Sequence, residues 1–178
     1  NVGYKGNNNF EKKEWDKQRP TAEFFKEIMR ISKNQIIWGG NYFADLLPPT
    51  RGWIVWDKGE GFYNRTYAEC ELAWTSFNKN VEKFKFDPLA KGTYKGKIHP
   101  TQKPIELYEF CLKYADIKDN SSIIDSNLGS GSIALAIDKV NKMENKNLSF
   151  VGIELDTDYF QAALKRFNRE IKQGCLFF

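Results

Sequence analysis

Apolar residues recur at helical spacing through Phe24, Phe25, Ile28, Met29 and Ile31, which builds one face for burial. Pro20-Thr21-Ala22-Glu23 stands just ahead of them and predicts where that helix opens. Residues 35–38 form a short apolar run stopped by Gly39-Gly40, residues 53–56 a second and residues 72–77 a third, and each predicts a strand. Residues 78–97 are polar and rich in Lys and Gly, and predict a loop over the sheet. A helix is expected over residues 101–115, with Leu107, Phe110, Cys111 and Tyr114 on one side. The run Ile123-Ile124-Asp125 then enters the turn Gly129-Ser130-Gly131, and a helix is expected from about Ser132 to Val140. A further strand over residues 150–154 and a last helix from about Asp158 to Lys172 complete the pattern. Strands alternating with helices predict an α/β fold, a mostly parallel sheet with helices on both faces. Residues 1–19, rich in Asn, Gly and Lys, predict a mobile loop.

The chain has 178 residues, enough for one domain that buries a core without disulfides or metal, and no internal repeat divides it. An apolar content of 41% with 15% aromatic residues excludes disorder as the ground state. No apolar run approaches a membrane span and no secretory signal opens the sequence, so no membrane partner is expected. Cys70, Cys111 and Cys175 are scattered without C-x-x-C spacing, which argues against a zinc site or disulfide framework and fits a reducing cytoplasm. A single histidine, His99, makes a His-based metal centre unexpected as well, so no metal is expected. The net charge of +4 permits a polyanionic partner without requiring one.

The glycine turn carries the first candidate chemistry. Glycines remove side chains where a ligand must touch backbone, and the helix that follows offers free N–H groups at its start. Glu154 lies 23 residues after Gly131, at the end of the next strand, where an acid can accept hydrogen bonds from ribose hydroxyls. Gly129-x-Gly131-x-x-Ala134 also satisfies a loosened dinucleotide pattern, and a plain strand-to-helix turn without ligand would leave the same trace. Asp125 adds a second acid just before the turn. A pyrophosphate would be repelled there, whereas a ligand bearing an ammonium group would be attracted; Asp125 could equally cap the turn through backbone N–H groups.

His99-Pro100-Thr101-Gln102-Lys103-Pro104 reads locally as a rigid lead into a helix, with Thr101 as N-cap and Pro104 in the first turn. That leaves His99, Gln102 and Lys103 unexplained. Followed by Gly129-Ser130-Gly131-Ser132 and Gly152-Ile153-Glu154-Leu155-Asp156, the segment resembles the amino-methyltransferases of DNA in their permuted, beta-class order. Residues 36–42, 53–58 and 68–76 resemble, in order, the catalytic-half segments of phage- and mobile-element-type adenine methylases. The resemblance implies a Rossmann-like S-adenosylmethionine-dependent methyltransferase sheet in circularly permuted order, with the strand of residues 122–125 in mid-sheet. Residues 1–97 would form the catalytic, target-base half and residues 98–178 the cofactor half. S-adenosylmethionine is the implied cofactor and double-stranded DNA the implied partner, in the cytoplasm, as monomer or homodimer. His99, Thr101, Gln102, Lys103, Asp125, Asn127, Gly129, Ser130, Gly131 and Glu154 are the implied cofactor residues. Asn41, Tyr42, Trp56 and Lys58 are the implied base-pocket candidates, with Asp57 a weaker one, while Glu69 and Glu71 read as partners of nearby lysines.

The sequence departs from that family twice. Asp125-Ser126-Asn127 stands where the family usually has Asp-Pro-Phe. The family's catalytic Asp-Pro-Pro-Tyr, whose acid and proline carbonyl receive the target amino group, is absent. The sole Pro-Pro, in Leu47-Pro48-Pro49-Thr50, has neither acid nor aromatic ring and reads as a turn. The expectation is therefore that a strand carrying the tetrapeptide precedes Asn1. Methyl transfer to N6 of adenine is the leading reading. A nicotinamide-dependent oxidoreductase and a non-catalytic DNA- or cofactor-binding remnant are its alternatives.

Overall fold

A computed structural model describes residues 19–174. The loop expected over residues 1–19 lies, Arg19 apart, outside the described residues, and so does Cys175. Helix α1 (Ala22–Ile31) opens where Pro20 and Thr21 predict it, with the Thr21 hydroxyl accepting from the Phe24 N–H at 3.4 Å. Its Phe25 packs with Leu47 and Trp74, with Phe24 and Met29 against them, so the apolar stripe goes inward except at its end, where Ile31 is 47% exposed. Strand β1 (Ile36–Trp38) ends at Gly39, whose φ of +74° turns the chain into a 3-10 turn over Gly40–Phe43.

Strands β2 (Trp53–Asp57), β3 (Cys70–Thr75) and β4 (Glu82–Lys85) join β1 in a four-stranded sheet of order β1-β3-β2-β4. Only the β2–β4 pair is parallel; β3 runs antiparallel to both β1 and β2. The expectation of a mostly parallel sheet is thus corrected in this half, because the short links between these strands contain no crossover helix. Strand β4 corrects the expected loop over residues 78–97: Phe84 and Phe86 alternate with Lys83 and Lys85, and the Phe84 ring packs on Phe110 at 5.1 Å between centroids. The Pro-Pro segment is tied to the sheet, the Pro48 carbonyl accepting the Trp74 indole N–H at 2.8 Å and the Thr50 hydroxyl donating to the Thr75 carbonyl at 2.7 Å.

Helix α2 (Ile105–Tyr114) begins at Ile105 rather than Thr101. Pro104 restricts Lys103 to extended backbone, so the helix cannot run through that bond, and Thr101 bonds to His99 instead of capping. Strands β5 (Ser122–Asp125) and β6 (Ser149–Gly152) pair in parallel through helix α3 (Ser132–Glu144), and helix α4 (Thr157–Gly174) closes the described chain. Among the described residues β5 pairs with β6 alone, so it is not found in mid-sheet as expected, and the two sheets share no hydrogen-bonded strands.

Helix α2 is the joint between them. Its Cys111 and Tyr114 pack with Ile54 and Ala73 of the four-stranded sheet, while Leu112 packs with Ala136, Ile137 and Val140 of α3. Helices α1 and α2 thus cover opposite faces of the four-stranded sheet. Helix α3 covers the Ile123–Phe150 face of β5–β6, and Ile124 and Val151 on the other face stay exposed. No helix among the described residues is long and apolar enough to cross a membrane.

Candidate active site

Asp125 ends β5, and the next residues fold back on it: the Asn127 N–H donates to Asp125 Oδ1 at 2.9 Å, and the Leu128 N–H donates to the Ile153 carbonyl at 2.9 Å. Gly129 (φ +54°) and Gly131 (φ +70°) supply the left-handed backbone that reverses the chain into α3. A first side-chain carbon on Gly129 would meet the His99 ring at ordinary contact, 3.4–3.6 Å, so the left-handed backbone rather than lack of space favours glycine here. Glu154, two residues beyond β6, reaches back to the turn. Its Oε2 accepts the Gly129 N–H at 2.8 Å and its Oε1 accepts the Asp156 N–H at 3.1 Å. The two strand-end acids therefore face the same glycine turn. Burial raises the Asp125 carboxyl above its ordinary value, with the Glu154 charge adding to it and the Asn127 N–H and the Lys103 ammonium opposing.

The segment from His99 to Pro104 lies against that turn. His99 is buried, with its Nδ1 accepting the Thr101 N–H at 3.2 Å and its ring edge-on to Tyr159 at 4.4 Å. An Nδ1 that accepts leaves the ring proton of neutral His99 on Nε2, and burial lowers its pKa, favouring that neutral form. The Gln102 Oε1 accepts the Ile98 N–H at 3.0 Å, which pins the loop, while Thr101 is exposed. The Lys103 carbonyl accepts the Ser132 hydroxyl at 2.7 Å, which fastens this loop to the start of α3. The Lys103 ammonium turns the other way, 3.1 Å from Glu71 Oε2 on β3 and over the Trp38 ring.

Lys58 meets the same carboxylate, 2.8 Å from Glu71 Oε1, and lies over the Trp56 and Phe62 rings. Trp56 is fully buried and its indole N–H donates to the Phe86 carbonyl at 3.0 Å. Lys97 stands 4.4 Å from the Tyr94 ring centre, and burial lowers its pKa to about 8, with Glu71 opposing and Lys58 and Lys103 adding to the depression. Asn41 and Tyr42 are exposed on the 3-10 turn and take no part in this cluster. Asp57 accepts the Gly59 N–H at 2.9 Å and the Tyr63 hydroxyl at 3.0 Å, bonds that hold the β2 exit. Among the described residues no group of His, Cys, Asp and Glu side chains is arranged to hold a metal ion.

The sequence model of the N6/N4 DNA methylases matches residues 4–165. The chain belongs to the DNA methylase family. The type II methyltransferase M2.LlaDCHI of Lactococcus lactis subsp. cremoris is 30% identical over 125 residues, which cover 68% of this chain and 43% of that protein. The chain thus aligns to less than half of that relative's length. The crystal structure of the M1.HpyAVI–SAM complex superposes with a TM-score of 0.54 at 24% identity, over 84% of this chain and 85% of that one, a likeness of fold.

The site also holds residues that carry no motif in the sequence. Arg166 Nη1 donates to the Ser130 carbonyl and the Ser132 hydroxyl, both at 2.9 Å, which clamps α4 onto the glycine turn. The signal was an arginine at helical spacing from the buried Tyr159 and Ala163, on the stripe that should be apolar. Lys97 lies in a segment whose composition predicts a solvated loop, yet it is partly buried. Glu71 pairs with lysines as the sequence predicts, and one of them is Lys103, distant in the chain. Behind the turn, a cleft of about 420 Å³ opens between α3, α4 and β6, lined by Leu128, Phe150, Phe160, Leu164 and Phe167, without Asp125.

Proposed function

We propose that this methylase holds S-adenosylmethionine at the glycine turn and directs its methyl group to the exocyclic amino group of a DNA base, N6 of adenine. The observation that carries the reading is the acid pair at one turn. Asp125 Oδ1 takes the Asn127 N–H, and Oδ2 has no other hydrogen bond among the described residues, so it is available to a cationic ligand. Glu154 is held rigidly by Gly129 and Asp156, and each of its oxygens keeps a second lone pair for a ribose hydroxyl. A pyrophosphate-bearing dinucleotide would meet the charge of Asp125, which disfavours the oxidoreductase alternative. The residues therefore fit a ligand with an ammonium group and a ribose.

S-adenosylmethionine, when bound, supplies a methyl group activated on sulfonium. The chain's own part is positioning. Asp125 receives the ammonium, Glu154 the ribose, Asn127 and the Gly129-Ser130-Gly131 backbone line the turn, and His99, Thr101 and Gln102 brace it from below. On the base side Lys58, with Trp56 behind it, faces the seam, while Asn41 and Tyr42 offer exposed polar groups on their own 3-10 turn, apart from that cluster. The exposed Lys83 and Lys85 of β4 and the lysines of the following loop suit phosphate contacts that position duplex DNA without reading its sequence. A base must leave the stack to reach such a site. The acceptor for its amino hydrogens is assigned to no residue of this chain, since the one Pro-Pro segment is committed to Trp74 and Thr75.

The test is incorporation of labelled methyl from S-adenosylmethionine into duplex DNA by the protein, with the product bases separated by chromatography. N6-methyladenine, lost with Asp125→Ala, is the expected result. N4-methylcytosine would redirect the specificity, and binding of NAD in place of S-adenosylmethionine would revive the oxidoreductase. Cofactor binding without methyl transfer would favour the remnant reading.

A further inference from the structure

Helix α4 meets the glycine turn through three residues of one face. The Tyr159 ring lies edge-on to His99 at 4.4 Å, and buried Ala163 abuts Gly131, where a first side-chain carbon would lie 3.4 Å from the Ala163 Cβ. Arg166, the third, reaches the residues on either side of that glycine. Its Nη1 donates at 2.9 Å both to the Ser130 carbonyl and to the Ser132 hydroxyl. Among the described residues this half-buried guanidinium forms no ion pair, and its hydrogen bonds go to the turn alone. A cation withdrawn from water must find acceptors, and here a backbone carbonyl and a hydroxyl take the place of a carboxylate.

The carbonyl it holds belongs to the one peptide of the turn that sterics leave free. Gly131 stands at φ +70°, and glycine adopts the opposite hand about as readily, so the Ser130–Gly131 peptide is able to flip. In the folded chain it is held at both ends: its N–H donates to the Leu128 carbonyl at 3.0 Å, and its carbonyl takes Arg166. Gly129, whose N–H fixes Glu154, lies inside the same turn, so a flip would move the anchor of that acid. The Ser132 hydroxyl donates onward to the Lys103 carbonyl at 2.7 Å, which carries the restraint to the His99–Pro104 loop. We propose that Arg166 is a positioning residue for the cofactor site: by pinning the Ser130 carbonyl from α4 it suppresses the flip and keeps Gly129 and Glu154 where a ribose meets them. The inference rests on the reading of the turn as the S-adenosylmethionine site.

Two measurements test this on the wild-type chain, on Arg166→Met, which keeps a stem without donors, and on Arg166→Lys, which keeps a charged donor. In calorimetric titration Arg166→Met should bind S-adenosylmethionine about tenfold more weakly, the loss expected when about a tenth of the molecules hold the competent turn. Removing a cation by itself favours a cationic ligand, so a weakening cannot come from the lost charge. Arg166→Lys should come within about threefold of wild type, since an ammonium still donates as a point charge. Affinity of Arg166→Met at or above the wild-type value would overturn the proposal. The second measurement needs no cofactor. Amide hydrogen exchange at Gly129 and Gly131 should speed about tenfold in Arg166→Met, while Ile137 and Val140 in the body of α3 exchange as in wild type. No change at the glycines would overturn the proposal, and so would equal acceleration at all four amides, which leaves Arg166 a merely structural clamp. If Arg166→Met does not fold, Arg166→Lys decides by the same readings: about threefold faster exchange confined to the glycines is expected, and none or a uniform rise overturns. Absence of S-adenosylmethionine binding by wild type would refute the functional reading instead, and the exchange pattern would still decide whether Arg166 sets the turn.

Discussion

Replacing Glu154 with Ala should destabilise the fold as well as the cofactor site, and the structure says by how much. The carboxylate accepts the N–H of buried Gly129 at 2.8 Å and that of Asp156 at 3.1 Å. A charge-assisted hydrogen bond lost from a buried donor costs about 1.5–3 kcal/mol, whereas a donor that water can reach loses a fraction of that. Gly129 is enclosed by the turn and His99, so its orphaned N–H dominates, and the sum is about 2–3 kcal/mol. For a domain of this size that is a drop in Tm of about 4–12 °C. Glu154→Gln keeps one acceptor oxygen but turns an amide NH2 toward the other donor, so about half the loss should persist. Urea unfolding with matched m-values, alongside calorimetric titration, separates the two effects. S-adenosylmethionine binding should weaken by a further 1–3 kcal/mol, roughly, in variants that remain folded. If Glu154→Ala unfolds within about 0.5 kcal/mol of wild type, a margin typical of surface changes, the carboxylate does not support the turn. If cofactor affinity is also unchanged, Glu154 is not the ribose ligand.

Other outcomes follow from the same geometry. Asp125→Asn should leave the unliganded chain as stable at pH 7 as wild type, or more so, while abolishing cofactor binding. The amide oxygen can keep the Asn127 N–H bond, and the raised carboxyl pKa means that the folded state binds its proton more readily, so stability falls as pH rises through the ordinary 3.8; a melting-temperature loss would contradict this. His99 has the opposite sign: burial lowers its pKa, so its contribution is present above pH 6.5 and is lost as pH falls toward the depressed folded value. His99→Gln should flatten stability against pH in that window in equilibrium unfolding. Gly40→Ala would put a methyl carbon 2.5 Å from the Trp74 Cβ and 2.8 Å from its backbone nitrogen, so a loss of about 2–3 kcal/mol is expected, and wild-type stability would refute the packing. NMR titration of the Lys97 side chain should give a midpoint of about 8 rather than the ordinary 10.5.

The elements were legible where their cause is local. The stripe from Phe24 to Ile31, the capping Thr21 and the positive-φ glycines at 39, 129 and 131 reappear as helix and turns, because periodicity and backbone freedom act within a few residues. The motif from His99 to Pro104 and the acids Asp125 and Glu154 were legible by resemblance, and the structure brings them together at one turn. Strand β4 was hidden because its alternation is built from Lys and Phe in a segment whose composition reads as loop. The start of α2 was misplaced because Thr101 had a nearer partner in His99 than any helix N–H.

What the sequence determined by itself is therefore the order of the elements, the glycine turn with its two acids, and the kinship to DNA methylases. Strand direction and sheet membership were decided by tertiary structure, since backbone pairing depends on partners distant in sequence and on the length of each connection. So was the meeting of Lys58, Glu71 and Lys103: charges in separate segments carry no mark of which will share a seam. Helix α2 decides that meeting, because its two faces are apolar and each must be buried, one against β2 and β3 and the other against α3.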